Sequence, residues 1–282
     1  MIIIKFFSSF GTSDGCIEAY TRVSELHNDP LFNKAYRFTT NDDYTHAIIL
    51  NTAMPKLYIP KKNVIGLAFE PIEYLNLTQP FINYAISNIG RYFIGKKGNL
   101  PSPFEEHFSY MWHTTPLTEM PKKTKPMSIM ISKKTHTNGH KYRHILCSNI
   151  LKSNLPIDIY GNGCKYYSGI KDNRIKGEFV SIEPHLEYQY HIAIENVVTP
   201  HYFSEKIMDT LLCNTIPIYL GCENIDNYFP DSVIKLSGNI EEDMAMLHQI
   251  CFNDSPEFIK NINVDKIKET ISFSNIIKIF ID

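Results

Sequence analysis

Long apolar runs are missing from this sequence, as are blocks of one charge, paired cysteines and internal repeats. No apolar stretch reaches the roughly 20 residues that a membrane-spanning helix needs. Met1-Ile2-Ile3-Ile4-Lys5-Phe6-Phe7 is too short for a signal core and reads as a first buried strand. Twenty-eight lysines and arginines nearly balance 30 aspartates and glutamates, for a formal net charge of −2. With no dominant basic block and no basic-aromatic interleaving, a nucleic-acid partner is disfavoured. The six cysteines (16, 147, 164, 213, 222 and 251) include no C-x-x-C pair. They read as reduced, mostly buried thiols of a cytosolic protein. Among eleven histidines, His136 and His140 stand four apart without an H-E-x-x-H, and no Asp-x-Asp occurs anywhere; no metal is expected.

What is present is a chain of 282 residues with 43% apolar content, enough for sizeable cores in two domains or one large one. Its organising stretch runs from His191 to Gly221. Ile192, Ala193 and Ile194 form a short apolar strand that ends in Glu195-Asn196, and a polar loop with Pro200 follows. Ser204 offers a helix N-cap, with Glu205 and Lys206 in the first turn. Ile207, Met208, Leu211 and Leu212 keep the three-and-four spacing of one buried face. Asn214 is a helix stop, and Ile216 to Leu220 reads as a buried strand closed by Gly221. Strand, loop, helix, strand is a βαβ half of a nucleotide-binding sheet, where ligands sit at strand carboxyl ends and helix amino ends. A helix amino terminus attracts phosphate. A lysine there opposes the helix's own dipole, which points to an anion at that place. Glu205 could accept two hydrogen bonds from a ribose diol; an incidental surface pair with Lys206 is the plainer alternative.

The segment resembles the signature of the α-1,3-fucosyltransferase family (glycosyltransferase family 10): F-E-N, a short loop, Y-V-T-E-K, then P-V/I-x-x-G. Here I-E-N stands at 194–196, Y-F-S-E-K at 202–206 and P-I-Y-L-G at 217–221, followed by Asn227 to Ser232 and the strand Val233 to Leu236. Ile194, Phe203, Ser204 and Leu220 depart from the usual Phe, Val, Thr and Trp and leave sugar specificity open. The resemblance implies donor-binding roles for Asn196, Tyr202, Glu205 and Lys206. Animal members carry an amino-terminal Golgi anchor, and some bacterial relatives carry carboxy-terminal heptads and basic tails. This chain resembles the soluble bacterial or viral type, with no stable membrane anchor and a cytoplasmic location expected.

The amino-terminal half alternates strands and helices. A small-residue turn at 8–15 precedes a helix at about 16–27, and strands follow at 45–50 and 64–69. The second strand runs into Glu70-Pro71, which resembles the family's strand-end glutamate and makes Glu70 the expected catalytic base. A carboxylate at the apolar carboxyl end of a strand is desolvated, which raises its pKa toward a useful range; Glu73 is the fallback. Phe104, Phe108, Tyr110, Trp112 and His113 form an aromatic cluster that suits packing more than a sugar platform. Pro116 to Pro126, with Lys122-Lys123-Thr124-Lys125, has linker composition. Beyond it come a strand at 127–131, a basic polar loop from Ser132 to Arg143, a helix to about 154, a strand at 157–160 and the turn Gly161-Asn162-Gly163. By its order along the chain Arg143 resembles the family's phosphate-binding arginine, and a planar fork suits phosphate; a surface arginine is the competing explanation. A helix at 241–251 and an amphipathic tail at 264–280 end the chain.

The expectation is an α/β enzyme of two Rossmann-like domains facing a cleft, the GT-B architecture. Residues 1–120 form the acceptor-side domain, 121–265 the nucleotide-sugar donor domain and 266–282 a C-terminal helix. The implied reaction is inverting and metal-independent, moving L-fucose from GDP-fucose, the donor substrate, to a hydroxyl of a glycan acceptor, with no other cofactor. Another nucleotide sugar, or a non-catalytic nucleotide- or sugar-binding relative, is the alternative. Acceptor and oligomeric state carry no sequence signal.

Overall fold

The computed structural model describes residues 1–24, 26–253, 258 and 260–281. The chain divides into two compact units, with a boundary between Thr115 and Pro116. The first holds β1 (Ile2–Ser8), α1 (Ser13–Val23), β2 (Tyr36–Phe38), β3 (His46–Leu50), β4 (Val64–Leu67), α2 (Gln79–Asn88), β5 (Arg91–Ile94) and β6 (Phe104–Glu106). Its sheet has the order β2-β1-β3-β4-β5-β6, with every neighbour parallel. Strands covered on both faces need continuous apolar sequence, and Ile48, Ile49, Leu50, Val64, Ile65 and Leu67 are all buried. The helix expected at 16–27 starts earlier, because the Thr12 side chain accepts from Gly15 N and caps it at Ser13. β4 stops at Leu67, short of the expected Phe69, yet Ala68 N donates to Phe93 O and Phe69 N to Asn51 Oδ1 at 2.7 Å. The chain is therefore still tethered as it reaches Glu70. Phe104, Phe108 and Tyr110 are buried, with Phe104 on the ring of Tyr92, so this cluster is packing.

The second unit holds β7 (Lys125–Met130), α3 (Asn138–Leu151), β8 (Ile157–Tyr160), β9 (Ile175–Gly177), α4 (Glu183–Leu186), β10 (Tyr188–Ile194), α5 (Glu205–Leu212), β11 (Ile216–Leu220), β12 (Ile234–Lys235) and α6 (Ile240–Phe252). Its order is β12-β11-β10-β7-β8-β9, again parallel throughout. In sequence order that is 3-2-1-4-5-6 read from the β9 edge, the dinucleotide-fold order. Its switch point lies between β7 and β10, where successive crossovers leave in opposite directions. α3 also begins before its expected start. Thr137 accepts from His140 N, so Arg143 sits in the second turn of a helix and not in a loop. Asn214 does end α5: it takes φ +53°, and Thr215 N reaches back to Thr210 O at 3.1 Å.

The tail expected as one helix over 266–282 is two, α7 (Val264–Ile271) and α8 (Ser274–Ile281). Phe273 breaks them apart because its buried ring packs against Tyr20, Phe6 and Phe38. The tail from Ile271 thus belongs with the first unit, as do residues 199–204.

Two polar clusters hold the second unit together. Lys123, expected in a linker, donates to the carbonyls of His185, Leu186 and Cys213 and to Thr215 Oγ1, at 2.7–3.2 Å. It neutralises the carbonyl ends of α4 and α5. Burial pushes its pKa down to about 8, which leaves an ammonium at neutral pH. On the α4 and α5 side of the sheet, His191 Nδ1 meets Ser128 Oγ at 2.8 Å and His185 Nδ1 meets Thr210 Oγ1 at 3.3 Å. Burial pushes His191 down to about 3; burial, then the charges of His191 and Lys123, hold His185 well below the usual histidine range.

Lys123→Met removes the ammonium from the Leu186 and Cys213 carbonyls, while the His185 carbonyl keeps Thr215 Oγ1, and is expected to cost about 2–4 kcal/mol of stability, read as a lowered denaturant midpoint; an unchanged midpoint would show that water replaces the ammonium. The histidines set a pH dependence. Both stay neutral in the folded chain, whereas the unfolded chain protonates them below about pH 6.5. Stability is therefore full above that pH and falls as acid is added, by about 2 kcal/mol per histidine between pH 7 and 5. Denaturant titrations at the two pH values test this, and equal stabilities would contradict it.

Candidate active site

At the switch point of the second sheet lies a cavity of about 340 Å³, walled by Met130 to Ser132 at the end of β7, by β10, and by Glu205, Lys206 and Asp209 of α5. Arg143 of α3 closes one side, and the Gly161-Asn162 turn after β8 another. Strand carboxyl ends and a helix amino end converge here because the sheet reverses direction at this place.

Glu195, the first residue beyond β10, anchors the cationic wall. Its side chain is wholly buried, and its Oε2 lies 3.5 Å from Lys206 Nζ. Two glycines make room for it. A Cβ on Gly139 would stand 1.8 Å from Glu195 O, and one on Gly221 would stand 2.4 Å from Glu195 Cγ. Lys206 also reaches Glu205 Oε1 at 3.0 Å. Burial alone would lower its pKa, but the carboxylates of Glu205 and Glu195 outweigh burial and hold it above the ordinary lysine value. The lysine that opposes its helix dipole is thus held by two carboxylates, one of them from outside the helix.

Arg143 is buried, not a surface arginine. Its Nη2 donates to Asn196 Oδ1 at 2.6 Å and its Nε to Gly139 O at 3.2 Å, while Gly139 N donates to Asn196 O. The close approach at Gly139 docks the start of α3 on the end of β10 and aims the guanidinium along it. His140, one residue on, registers the local field. Burial, followed by the charges of Arg143, His136, Lys134 and Lys206, pushes its pKa down to about 4. That corner of the unit carries a concentrated positive potential, which favours an anion.

Of the six expected site residues, Arg143, Asn196, Glu205 and Lys206 come together in the second unit. Glu70 and Tyr202 belong to the first. Glu70 follows β4 at the carboxyl edge of its sheet, half-buried. Tyr202 is buried in the 199–204 segment, whose Phe203 stacks on Phe108 with ring centroids 5.0 Å apart. Glu195 was missed as a site residue although it precedes Asn196; its signal was a carboxylate at the end of an otherwise apolar strand. His185, His191 and Phe179, which also line the cavity, gave no motif. Among the described residues no His, Cys, Asp and Glu cluster has metal-binding geometry, and no helix is long and apolar enough to cross a membrane.

Residues 120–251 match the family described as glycosyltransferase family 10 (fucosyltransferase) C-term. A fucosyltransferase candidate of Acanthamoeba polyphaga mimivirus is 28% identical over 165 residues, covering 50% of this chain and 26% of that one. The α-(1,3)-fucosyltransferase B of Drosophila melanogaster is 34% identical over 88 residues, 29% of this chain and 20% of that one. The chain therefore spans about a quarter or less of the curated relatives it matches. Among solved structures, an α1,3-fucosyltransferase with GDP-fucose superposes with a TM-score of 0.59 at 13% identity, over 99% of this chain and 89% of that one. At that identity the likeness concerns the fold, which is of the GT-B kind. Residues 120–251, which span α3, β10, α5 and the cavity between them, are thus similar to the carboxy-terminal part of glycosyltransferase family 10.

Proposed function

We propose that this protein transfers L-fucose from GDP-fucose to a hydroxyl of a glycan acceptor, with inversion and without a metal. The observation that carries the reading is the cavity at the switch point of the second sheet, with Arg143 and Lys206 on its wall. Two fixed cations and a helix amino end offer a diphosphate what a divalent ion supplies elsewhere. Lys206 is held charged by Glu205 and Glu195, so it meets the ligand without reorganising. Arg143 presents a planar fork, steadied by Asn196, to the phosphate oxygens. Glu205 holds the ribose hydroxyls, and Tyr202 orients the sugar and phosphate.

Glu70 is the base. As the acceptor oxygen forms its bond to the anomeric carbon, the bond from that carbon to the diphosphate oxygen breaks on the opposite face, which inverts the centre. The acceptor proton passes to the Glu70 carboxylate, and the negative charge released on GDP is spread over Lys206, Arg143 and the start of α5. The acceptor itself is a sugar hydroxyl; its linkage position is left open.

The direct experiment is transfer from labelled GDP-fucose to a panel of glycans, with product anomers read by NMR. Glu70→Gln is expected to fold and bind GDP as before while turnover falls about 100-fold or more; undiminished transfer by that variant removes Glu70 from the mechanism. Transfer is also expected to persist in excess EDTA within about twofold, and abolition that added divalent ions restore would overturn the metal-free reading.

A further inference from the structure

The diphosphate reading leaves one wall of the cavity unused. His185 of α4 and His191 of β10 line it at 2% and 1% exposure, with ring centroids 4.3 Å apart. Their tautomers follow from the hydroxyls that touch them. Ser128 has one proton, and it goes to Pro184 O at 2.5 Å, since a carbonyl cannot donate. Ser128 Oγ therefore accepts from His191 Nδ1–H. Thr210 likewise gives its proton to Lys206 O at 2.6 Å and accepts from His185 Nδ1–H. Burial keeps both rings neutral. Each Nε2 is consequently a bare lone pair. Among the described residues neither Nε2 has a hydrogen-bond partner, and the sealed side-chain polar atoms without one are the hydroxyls of Ser13 and Ser24. The two Nε2 atoms are thus not sealed off, and the space their rings line is the cavity.

Two adjacent neutral acceptors in a pocket whose lining also includes the apolar side chains of Met130, Ile192, Ala193 and Phe179 call for a flat ligand edge with two neighbouring donors. Guanine has such an edge in N1–H and the N2 amine. Uracil and thymine place one N–H between two carbonyls, and adenine pairs its amine with a ring acceptor, so lone pair would face lone pair. We propose that His185 and His191 are the residues that read the nucleobase, accepting from the N1–H and N2 amine of guanine, and that they restrict the donor to a guanosine diphosphate carrier. This rests on the transferase reading above and adds to it the group that selects the base. A site built to accept a specific donor rejects analogues that lack it.

Calorimetric titration of the whole protein with GDP, IDP, UDP and ADP tests it. IDP differs from GDP only by the missing N2 amine. GDP is expected to bind about tenfold more tightly than IDP and about 100-fold more tightly than UDP or ADP, one and two hydrogen bonds' worth. His185→Phe and His191→Phe should bring GDP down to the affinity of IDP or below. Should those variants misfold, ¹⁵N-histidine NMR of the unmutated protein reads the same contact, as movement of the two unprotonated Nε2 resonances when GDP is added. Equal affinity for GDP and IDP, or Nε2 resonances unmoved at saturating GDP, overturns the proposal while transfer from GDP-fucose can stand. Failure of every nucleoside diphosphate to bind removes the transferase reading and this proposal with it.

Discussion

A buried carboxylate at the end of a parallel strand sets the terms for everything around it. Glu195 lies where water cannot reach its side chain, and an unpaired charge there would cost several kcal/mol. Lys206 answers that charge from the first turn of α5, and the pairing fixes where the helix may begin. Lys206 also meets Glu205, so the ammonium is held from two sides. The pair is therefore weak evidence for extra stability and strong evidence for a fixed geometry. The geometry in question is a charged ammonium held at the wall of a cavity.

Glycine at positions 139 and 221 is the second half of the same constraint. Both sit against Glu195, one on its carbonyl and one on its side chain, at distances that no Cβ could occupy. Gly221 closes β11, and Gly139 opens α3. Strand, helix and neighbouring strand are thus all built to the dimensions of one residue. Arg143, one helical turn after Gly139, inherits its position from that contact and returns a hydrogen bond to Asn196. The cationic wall is the product of backbone proximity first and of side-chain charge second.

The histidines that line the same cavity show how a buried polar group acquires a direction. Ser128 and Thr210 each have one proton, and each gives it to a carbonyl. The imidazoles are left to donate from Nδ1 and to present Nε2 as an acceptor. One cavity is lined both by fixed positive charge, from Arg143 of α3 and Lys206 of α5, and by neutral acceptors, from His185 of α4 and His191 of β10. A ligand that is anionic at one end and donor-rich at the other satisfies both.

The parallel strands, the helix stop at Asn214 and the ordered elements from Ile194 to Gly221 were legible because apolar period, turn residues and motif order are local properties of the chain. Helix starts were less so: Thr12 and Thr137 cap α1 and α3 ahead of the apolar periodicity, and only hydrogen-bond geometry reveals which hydroxyl does the capping. Lys123 reads as a linker residue because nothing local marks the three carbonyls it meets, up to 90 residues further along the chain. The tail broke at Phe273 for a similar reason, since an aromatic pocket far away in sequence outcompeted continuation of the helix. Sequence by itself determined the two parallel α/β sheets and the family resemblance of the second unit, since burial on both faces demands continuous apolar strands and the signature is contiguous. Tertiary structure alone decided that Glu195 pairs with Lys206, that Arg143 is buried against Asn196 and that two neutral histidines face the cavity, because each depends on which groups meet once water has been excluded.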